Sequence, residues 1–309
     1  MRIVEKILRK ISKLSVTGSN IELRKLIGES AINSAKSARG TYKHLWDSEV
    51  KVFSQWGEDG ILDYLFDISG ITKPKIIEFG AGNFDECNSR FAAEHRNASV
   101  YAIDMRTDLK SNISQLDLSW KNEIFAVEDF ITPESAKKHF NEAIGLFGKI
   151  NLLSIDIDGN DYWILDALDL SKVDILVCEY NPIYGPKAAV TIPRKDDFDR
   201  SKAHYSWLYY GMSLMAAINV MERNGLIFVG SNRVGNNAFF VKSLIAKNIN
   251  FDLPKKEALE IYTDWRIRES RDNLGNLSYL SGHSRHEEIS NCEIFNLGNS
   301  KIIKVREIL

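Results

Sequence analysis

Apolar runs of strand length alternate with amphipathic stretches of helix length from Val50 onward, and this alternation restricts the fold more than any other feature. Strands are predicted at 76–79, 100–103, 124–127, 152–157, 175–178, 226–229 and 238–241. Between the first five of these strands, helices are predicted around 86–95, 108–118, 133–147 and 162–168. The pattern predicts an α/β protein with a mostly parallel sheet that is covered by helices on both faces.

The last two predicted strands differ from the others because only residues 230–237 separate them. That connection is too short for a helical crossover, so the two strands should pair antiparallel. A long helix is predicted before them at 207–223. This order of elements resembles the Rossmann-like class I methyltransferase fold, a seven-stranded, mostly parallel sheet with an antiparallel last strand.

Three regions are predicted along the 309 residues, because the length suits one large domain with appendages. Residues 1–50 form an N-terminal helical arm, 51–244 the main domain and 245–309 a small C-terminal extension. A β-hairpin is predicted in the extension, since apolar residues at 294–297 and 302–305 flank Gly298 and Asn299.

Charge and cysteine content exclude several classes of protein. The chain has 40 Lys and Arg against 42 Asp and Glu, so its net charge of -2 does not favour a nucleic-acid partner. No apolar stretch approaches the roughly 20 residues that span a bilayer. The three cysteines lack the CxxC spacing of metal or redox sites, and a reducing cytoplasm is the expected compartment.

Residues 1–14 are basic and amphipathic. Apolar side chains recur at helical spacing from Ile3 to Leu14, and five basic residues against Glu5 occupy the other face. This pattern is typical of a helix that lies on a membrane surface, here the inner face of the membrane, or that binds a protein partner. The alternative is packing against the chain's own domain or in a homo-oligomer.

The stretch 75–82 ends an apolar run with Glu78 and then places Gly80 and Gly82 one residue apart. Glycine permits a tight turn and a close approach of the backbone to a ligand. At the carboxyl end of a parallel strand, this arrangement is typical of a nucleotide-type binding site. A Gly-x-Gly pair is weak evidence when it stands alone.

Five motifs follow one another between residues 52 and 243. They are SQWGEDGIL at 54–62, IEFGAG at 77–82, LSIDIDGNDY at 153–162, CEYNP at 178–182 and NNAFFV at 236–241. Together they resemble the FkbM-type branch of the class I S-adenosylmethionine-dependent methyltransferases. That branch includes sugar and natural-product O-methyltransferases, so the resemblance implies S-adenosylmethionine as the cofactor.

The resemblance implies a cofactor site along the first strand ends. Glu78, Gly80 and Gly82 would form the first cofactor loop, in which the glycines clear space for the methionine and ribose portions. Asp104 ends the second strand, where a carboxylate can accept hydrogen bonds from both ribose hydroxyls.

Two further acidic sites are less specific. Glu128 and Asp129 follow the third strand and are candidates for the adenine amino group, although surface acids are common there. Gln55 and Glu58 precede the first strand, and in similar enzymes this region closes over the methionine end of the cofactor. The alternative for Glu58 is helix capping, because acids favour the first turn of a helix.

The densest acidic cluster follows the fourth strand. Strand alternation places Asp156 and Asp158 on one side, and Glu179 and Asn181 follow the next strand with the same spacing. Carboxylate and amide oxygens suit Mg²⁺ or Mn²⁺, so these four residues form a candidate metal site. The metal-free alternative is that Asp156 or Asp158 contacts the substrate directly.

A methyl acceptor hydroxyl needs a base or a cation that removes its proton in the transition state. Asp156 is one candidate base, and His204 is another because its ordinary pKa lies near neutrality. Trp207, Tyr209 and Tyr210 form a candidate aromatic wall for a sugar ring, or equally part of the core.

The sequence therefore predicts an S-adenosylmethionine-dependent O-methyltransferase that acts on a saccharide or glycolipid hydroxyl. A small-molecule natural product is the alternative acceptor. A non-catalytic cofactor-binding module is the nonenzymatic alternative, although such a module would have little use for the four polar residues that follow the fourth and fifth strands.

Overall fold

The computed structural model describes residues 21–116, 118 and 120–308. Its strands form a seven-stranded and a three-stranded sheet. The strands are β1 (Lys75–Phe79), β2 (Ser99–Asp104), β3 (Ile124–Glu128), β4 (Ile150–Ile155), β5 (Val173–Glu179), β6 (Val190–Thr191), β7 (Leu226–Ser231), β8 (Asn237–Lys242), β9 (Glu293–Asn296) and β10 (Lys301–Lys304). All seven strands predicted for the main domain and both strands of the C-terminal hairpin are present.

The large sheet has the strand order β3-β2-β1-β4-β5-β8-β7. Strands β1 to β5 pair parallel, and β8 lies antiparallel between β5 and β7. The predicted class I methyltransferase topology with an antiparallel last strand is confirmed. Because these strands are parallel, the carboxyl ends of β1, β2, β4 and β5 lie at one edge, and the strand order reverses between β1 and β4, where such sheets form a binding crevice.

Helices cover both faces of this sheet. The described helices are α1 (21–38), α2 (Glu58–Ile68), α3 (Arg90–Arg96), α4 (Leu109–Gln115), α5 (Pro133–Phe147), α6 (Asp161–Ala167), α7 (Arg200–Ala203), α8 (Leu214–Arg223), α9 (Ser243–Ala246) and α10 (His283–Glu288). Of these, α7 and α10 belong to the segments over the carboxyl edge of the sheet. One core layer packs α5, α6 and α8 against alternate strand residues such as Ile77 and Leu153. The opposite layer packs α2 and α3 against the intervening residues, including Ile76 and Leu152. The strand alternation thus buries both faces.

The helix predicted at 207–223 begins only at Leu214, so the predicted start was wrong. Ser213 caps α8, because its hydroxyl accepts a hydrogen bond from the backbone N–H of Ala216 at 3.1 Å. Trp207 and Gly211 have φ angles of 61° and 65°, which no α-helix contains. Residues 207–213 therefore form an irregular segment that runs beside the carboxyl edge of the sheet.

The small sheet joins two distant parts of the chain. The β9–β10 hairpin pairs through β9 with β6, which lies inside the long segment between β5 and α8. A separate apolar cluster, which includes Tyr184, Leu208 and Ile294, fills the space behind it. The C-terminal extension and the β5–α8 segment therefore pack as one layer over the carboxyl edge.

The predicted basic amphipathic helix at residues 1–14 lies outside the described residues. Helix α1, at residues 21–38, carries the exposed apolar side chains Leu23, Leu26 and Ile27. Within the described part of the chain, no helix combines the length and apolar character required to cross a bilayer.

Candidate active site

A cleft of about 1150 Å³ opens at the carboxyl edge of the large sheet. Its floor is formed by residues that follow β1, β2, β4 and β5, and its roof by the β5–α8 segment and residues 265–269. Of the candidate residues from the sequence, the cleft wall contains Gln55, Glu58, Glu78, Gly80, Gly82, Asp104, Asp156, Asp158 and Glu179. Glu128, Asp129, Asn181 and His204 do not line it.

Gly80 is needed for contact between two strand ends. A Cβ atom at this position would lie 1.6 Å from the backbone oxygen of Asp156, and the φ angle of Gly80 is 86°. An added Cβ at Gly80 would meet protein backbone rather than open cleft space, although Gly80 lines the cleft, so its part in a cofactor loop stays a prediction. Gly82 is different: its φ is 57° and an added Cβ meets no protein atom within 4 Å.

Gly80→Ala is therefore expected to destabilise the fold by about 4 kcal/mol or more, because backbone on both sides must move. Urea unfolding followed by circular dichroism measures this change. Gly145→Ala is the matched control, since an added Cβ in that helical position meets no atom within 4 Å. Unfolding of Gly80→Ala at the wild-type midpoint would contradict the steric argument.

Asp104 connects the ends of β1 and β2. Its Oδ2 accepts a hydrogen bond from the backbone N–H of Gly82 at 2.7 Å, and its Oδ1 accepts one from the N–H of Arg106 at 2.9 Å. Each carboxylate oxygen retains a second lone pair. The side chain is thus held at the cleft wall with acceptor capacity for two neighbouring hydroxyl groups.

Glu128 and Asp129 are held by other groups. Glu128 accepts a hydrogen bond from the N–H of Lys110 at 3.0 Å, and Asp129 pairs with His139 Nε2 at 2.8 Å. The cleft at this point is lined instead by Phe130 and Ile131. The sequence analysis did not predict that Phe130 and Ile131 line the cleft. An apolar residue directly after a strand-end acid is a signal that could have identified this wall.

Met105 gives the same signal after Asp104. Its side chain is 67% exposed and lines the cleft, as does that of Phe130, which is 44% exposed. Contiguous exposed apolar surface in a cleft is typical of a ligand-binding site, whereas single exposed apolar side chains are ordinary. Together Met105 and Phe130 supply apolar surface near Asp104.

Glu78 organises the loop before α3. Its two carboxylate oxygens accept hydrogen bonds from the backbone N–H groups of Asn88 at 2.7 Å and Ser89 at 2.9 Å. These bonds hold the residues before Arg90 in a loop. The helix predicted at 86–95 therefore begins only at Arg90, as α3. Burial raises the pKa of Glu78.

Glu58 is a structural clamp. One oxygen accepts hydrogen bonds from the N–H groups of Trp56 and Gly57, and the other from the side-chain amides of Asn232 and Asn237. The carboxylate is fully buried and joins the start of α2 to the β7–β8 hairpin. Within the described part of the chain, it accepts no hydrogen bond from the first-turn N–H groups of α2, so these contacts join two segments rather than cap the helix.

Gln55 and Trp56 face the cleft with unused hydrogen-bonding capacity. Gln55 is exposed at the cleft wall, and the Nε1 atom of Trp56 is buried without a hydrogen-bond partner among the described residues. A buried unpaired donor costs free energy unless a ligand or water satisfies it. This corner of the cleft therefore suits a ligand with an acceptor group.

Three carboxylates converge where β4 and β5 end. Oxygen atoms of Asp156, Asp158 and Glu179 lie within 4.8 Å of one another. Glu179 is 7% exposed, and its Oε2 has no hydrogen-bond partner among the described residues. Burial raises the pKa of both Asp156 and Glu179 well above the usual range, and the neighbouring carboxylates raise each further.

Arg200, from α7, is the cation beside this cluster. Its guanidinium pairs with Asp158 and donates from Nε to the backbone oxygen of Trp207 at 2.6 Å. The guanidinium carbon also lies 3.9 Å from the ring centre of Tyr210, whose buried hydroxyl finds no hydrogen-bond partner in the described part of the chain. The sequence analysis missed Arg200 because no local pattern places a loop arginine opposite two strand ends.

Asn181 does not belong to the cluster. It is fully buried, donates from Nδ2 to the backbone oxygens of Leu208 at 2.9 Å and Tyr210 at 3.1 Å, and accepts from the N–H of Ile183 at 3.1 Å. The prediction of Asn181 as a metal ligand was wrong, because its amide pins the irregular segment to the end of β5.

His204 also lies away from the cleft wall. Its Nδ1 is 2.8 Å from the hydroxyl of Ser206, and its ring stacks on Tyr205 with centres 4.4 Å apart. Burial lowers its pKa. The structure contradicts the prediction of His204 as the catalytic base, because a base must reach the proton that it removes.

Two of the three aromatic candidates line the cleft. Trp207 and Tyr210 face it, whereas the hydroxyl of Tyr209 donates to the backbone oxygen of Glu293 behind it. Trp265, from the C-terminal extension, lines the cleft as well. Sequence reasoning missed Trp265 because its position depends entirely on how the extension folds back.

No protein-family model matches the chain, and no curated protein sequence matches it. Matching solved structures include a putative sarcosine dimethylglycine methyltransferase from Galdieria sulphuraria, with 12% identity, 61% of this chain and 69% of that chain covered, and a TM-score of 0.33.

Two other matches are a putative RNA methyltransferase from Pyrococcus horikoshii and a geranyl diphosphate methyltransferase in complex with GPP and sinefungin. The RNA methyltransferase is 10% identical, and the match covers 69% of this chain and 98% of that protein with a TM-score of 0.34. The geranyl diphosphate methyltransferase is 14% identical, and the match covers 54% of this chain and 59% of that protein with a TM-score of 0.33. Identities and TM-scores this low carry no information about function.

Proposed function

We propose that the chain is an S-adenosylmethionine-dependent O-methyltransferase of the FkbM type that acts on a saccharide or glycolipid hydroxyl. One observation carries the proposal: Gly82 and Asp104 line the same cleft as the carboxylates of Asp156 and Glu179. A methyltransferase needs this combination, because the cofactor and the acceptor must meet in one water-shielded space.

The cofactor would occupy the side of the cleft near β1 and β2. Asp104 would accept hydrogen bonds from the ribose hydroxyls, while Met105 and Phe130 would cover the adenine. Gln55 and the unpaired Nε1 of Trp56 would face the methionine end. When bound, S-adenosylmethionine supplies an electrophilic methyl group on a positively charged sulfur.

Asp156 would act as the base at the acceptor. In the transfer, a bond forms between the acceptor oxygen and the methyl carbon, the carbon–sulfur bond breaks, and the hydroxyl proton passes to Asp156. The raised pKa of Asp156 suits this role, because a base is most effective when its pKa lies near the working pH. Arg200 would pair with Asp158, so that Asp158 does not compete with Asp156 for the proton.

A divalent cation is the alternative at this cluster. Three carboxylates with oxygens within 4.8 Å fit Mg²⁺ or Mn²⁺ by donor type, although Arg200 competes for Asp158. A bound ion would supply acidification of the acceptor hydroxyl, and Asp156, Asp158 and Glu179 would hold it. Loss of activity in chelator, restored by Mg²⁺ or Mn²⁺, would favour this alternative.

Binding of S-adenosylhomocysteine to the purified protein tests the proposal. Calorimetry is expected to give micromolar affinity, about -8 kcal/mol, with no comparable binding of a nicotinamide dinucleotide. Asp104→Asn should weaken binding about tenfold or more, because an amide accepts at only one of its two polar atoms. Preference for the dinucleotide would overturn the methyltransferase assignment.

A further inference from the structure

The acceptor side of the cleft has a roof that comes from two remote segments. Trp207 and Tyr210 belong to the β5–α8 segment, whereas Trp265, Ile267 and Glu269 come from the C-terminal extension. From this roof and the charge of the wall we infer an acceptor subsite that takes an uncharged or amino-bearing sugar ring and rejects anionic rings. The inference rests on the proposed function and names its substrate class more closely.

The roof is held rigidly. Arg285 is 3% exposed and donates to the backbone oxygens of Ile267 and of Glu269, the latter at 2.7 Å. Its guanidinium carbon lies 3.6 Å from the ring centre of Trp265. Arg271 lies 3.9 Å from the ring centre of Trp207 in the same way. The arginines fix both indole rings, so that little entropy is lost when a flat ligand packs against them.

Further anchors attach the segment to the main domain. The N–H of Arg266 donates to the backbone oxygen of Val234 in the β7–β8 turn at 3.2 Å, and the N–H of Arg271 donates to that of Ser206 at 3.2 Å. Residues 263–271 are thus tied both to the large sheet and to the irregular segment. The position of Trp265 over the cleft is determined by main-chain bonds as well as by packing.

Two polar atoms in this roof lack partners. The Nε1 of Trp265 and the hydroxyl of Tyr210, a residue that is 1% exposed, are buried without a hydrogen bond among the described residues. An indole N–H can only donate, and a phenol can donate or accept. Aromatic rings with adjacent hydrogen-bonding atoms match a sugar ring, which presents C–H groups on its faces and hydroxyls at its edge.

The charge of the wall decides which sugars fit. Among the described residues, eleven acidic side chains line the cleft, against Arg106, Arg200 and Lys202. On the β5–α8 segment, Asp196, Asp197 and Asp199 pair with Arg194, Lys195 and Lys202, so the acids without an ion pair among the described residues at the acceptor end are Asp156 and Glu179. An anionic group beside these two carboxylates is repelled and loses hydration. Uronate and phosphate groups should therefore be rejected.

The inference is tested by ligand-observed NMR titration of the S-adenosylhomocysteine-loaded protein with four probes. These are methyl glucoside, its 2-amino-2-deoxy analogue, methyl glucuronide and glucose 6-phosphate. The neutral and amino probes should bind at least about tenfold more tightly than the two anionic probes, and the difference should shrink in high salt. Equal binding of an anionic probe, or no binding of the neutral and amino probes, would overturn the inference.

Variants of Trp265 separate its two contributions. Trp265→Phe removes the indole donor and should weaken the neutral probe about two- to tenfold, and Trp265→Leu, which also removes the ring, should weaken it more. Trp120→Phe, at a 74% exposed position outside the cleft, is the control. Wild-type probe affinity in both Trp265 variants would overturn the roof assignment. Failure of S-adenosylhomocysteine to bind would instead refute the proposed function.

Discussion

Asp156→Asn is expected to lower kcat by about 100- to 10,000-fold while leaving the affinity for S-adenosylhomocysteine nearly unchanged. The substitution keeps the shape of the side chain but removes its ability to take a proton. The cofactor wall at Gly82 and Asp104 is untouched. Turnover with a methyl acceptor and calorimetry with S-adenosylhomocysteine measure the two quantities separately.

The pH dependence of kcat identifies the base. Burial and the charges of Asp158 and Asp161 raise the pKa of Asp156, so turnover should rise with pH through that raised pKa rather than near the usual value of about 3.9. Only the ionised carboxylate accepts a proton, so turnover rises rather than falls as the pH increases.

Two controls accompany this prediction. Asp166→Asn changes an acid that pairs with Arg223 outside the cleft, and it should leave kcat unchanged. His204→Ala should leave the pH profile unchanged, since His204 does not line the cleft. Full turnover in Asp156→Asn would remove Asp156 as the base. A profile that His204→Ala alters would return the role to the histidine.

Gly82→Leu is expected to weaken S-adenosylhomocysteine binding about 100-fold or more, which corresponds to about 2.8 kcal/mol. The new side chain meets no protein atom near its Cβ, so it would extend into the space that the cofactor needs beside Asp104. The fold should survive, with a cost of about 1–2 kcal/mol for the positive φ of 57°.

Gly70→Leu is the matched control for that backbone strain. Gly70 has a φ of 68° and open space around an added Cβ, yet it lies at the end of α2 and does not line the cleft. Both variants should lose similar stability in urea, and only Gly82→Leu should lose cofactor binding. Equal affinities in the two variants would show that Gly82 does not border the cofactor.

The local sequence pattern was sufficient to predict the strands of the large sheet and the residues at its carboxyl edge. Apolar runs predicted all seven strands of the large sheet and both strands of the hairpin, but not the two-residue strand β6, and the short 230–237 connection predicted the antiparallel pair. Parallel strands end at a common edge, so the sequence could also place Asp104, Asp156 and Glu179 in one cleft. These conclusions follow from strand alternation and crossover geometry, which depend on neighbouring residues alone.

Side-chain partners followed from the tertiary structure instead. Asn181 and Glu58 carry the right atoms for ligand binding, but backbone and amide groups from distant segments already use them. Gly80 is a predicted cofactor glycine, and only the tertiary structure shows that the backbone of Asp156 also requires a glycine there.

The sequence by itself determined the class of fold and the edge at which chemistry takes place, since periodicity and connection lengths are local properties. The tertiary structure decided which polar groups remain available there and what covers them. Arg200 and Trp265 reach the cleft, and Arg285 packs against Trp265, through long connections whose course depends on packing of the β5–α8 segment against the C-terminal extension. No local pattern encodes such contacts, because they arise only after both segments have folded over the sheet.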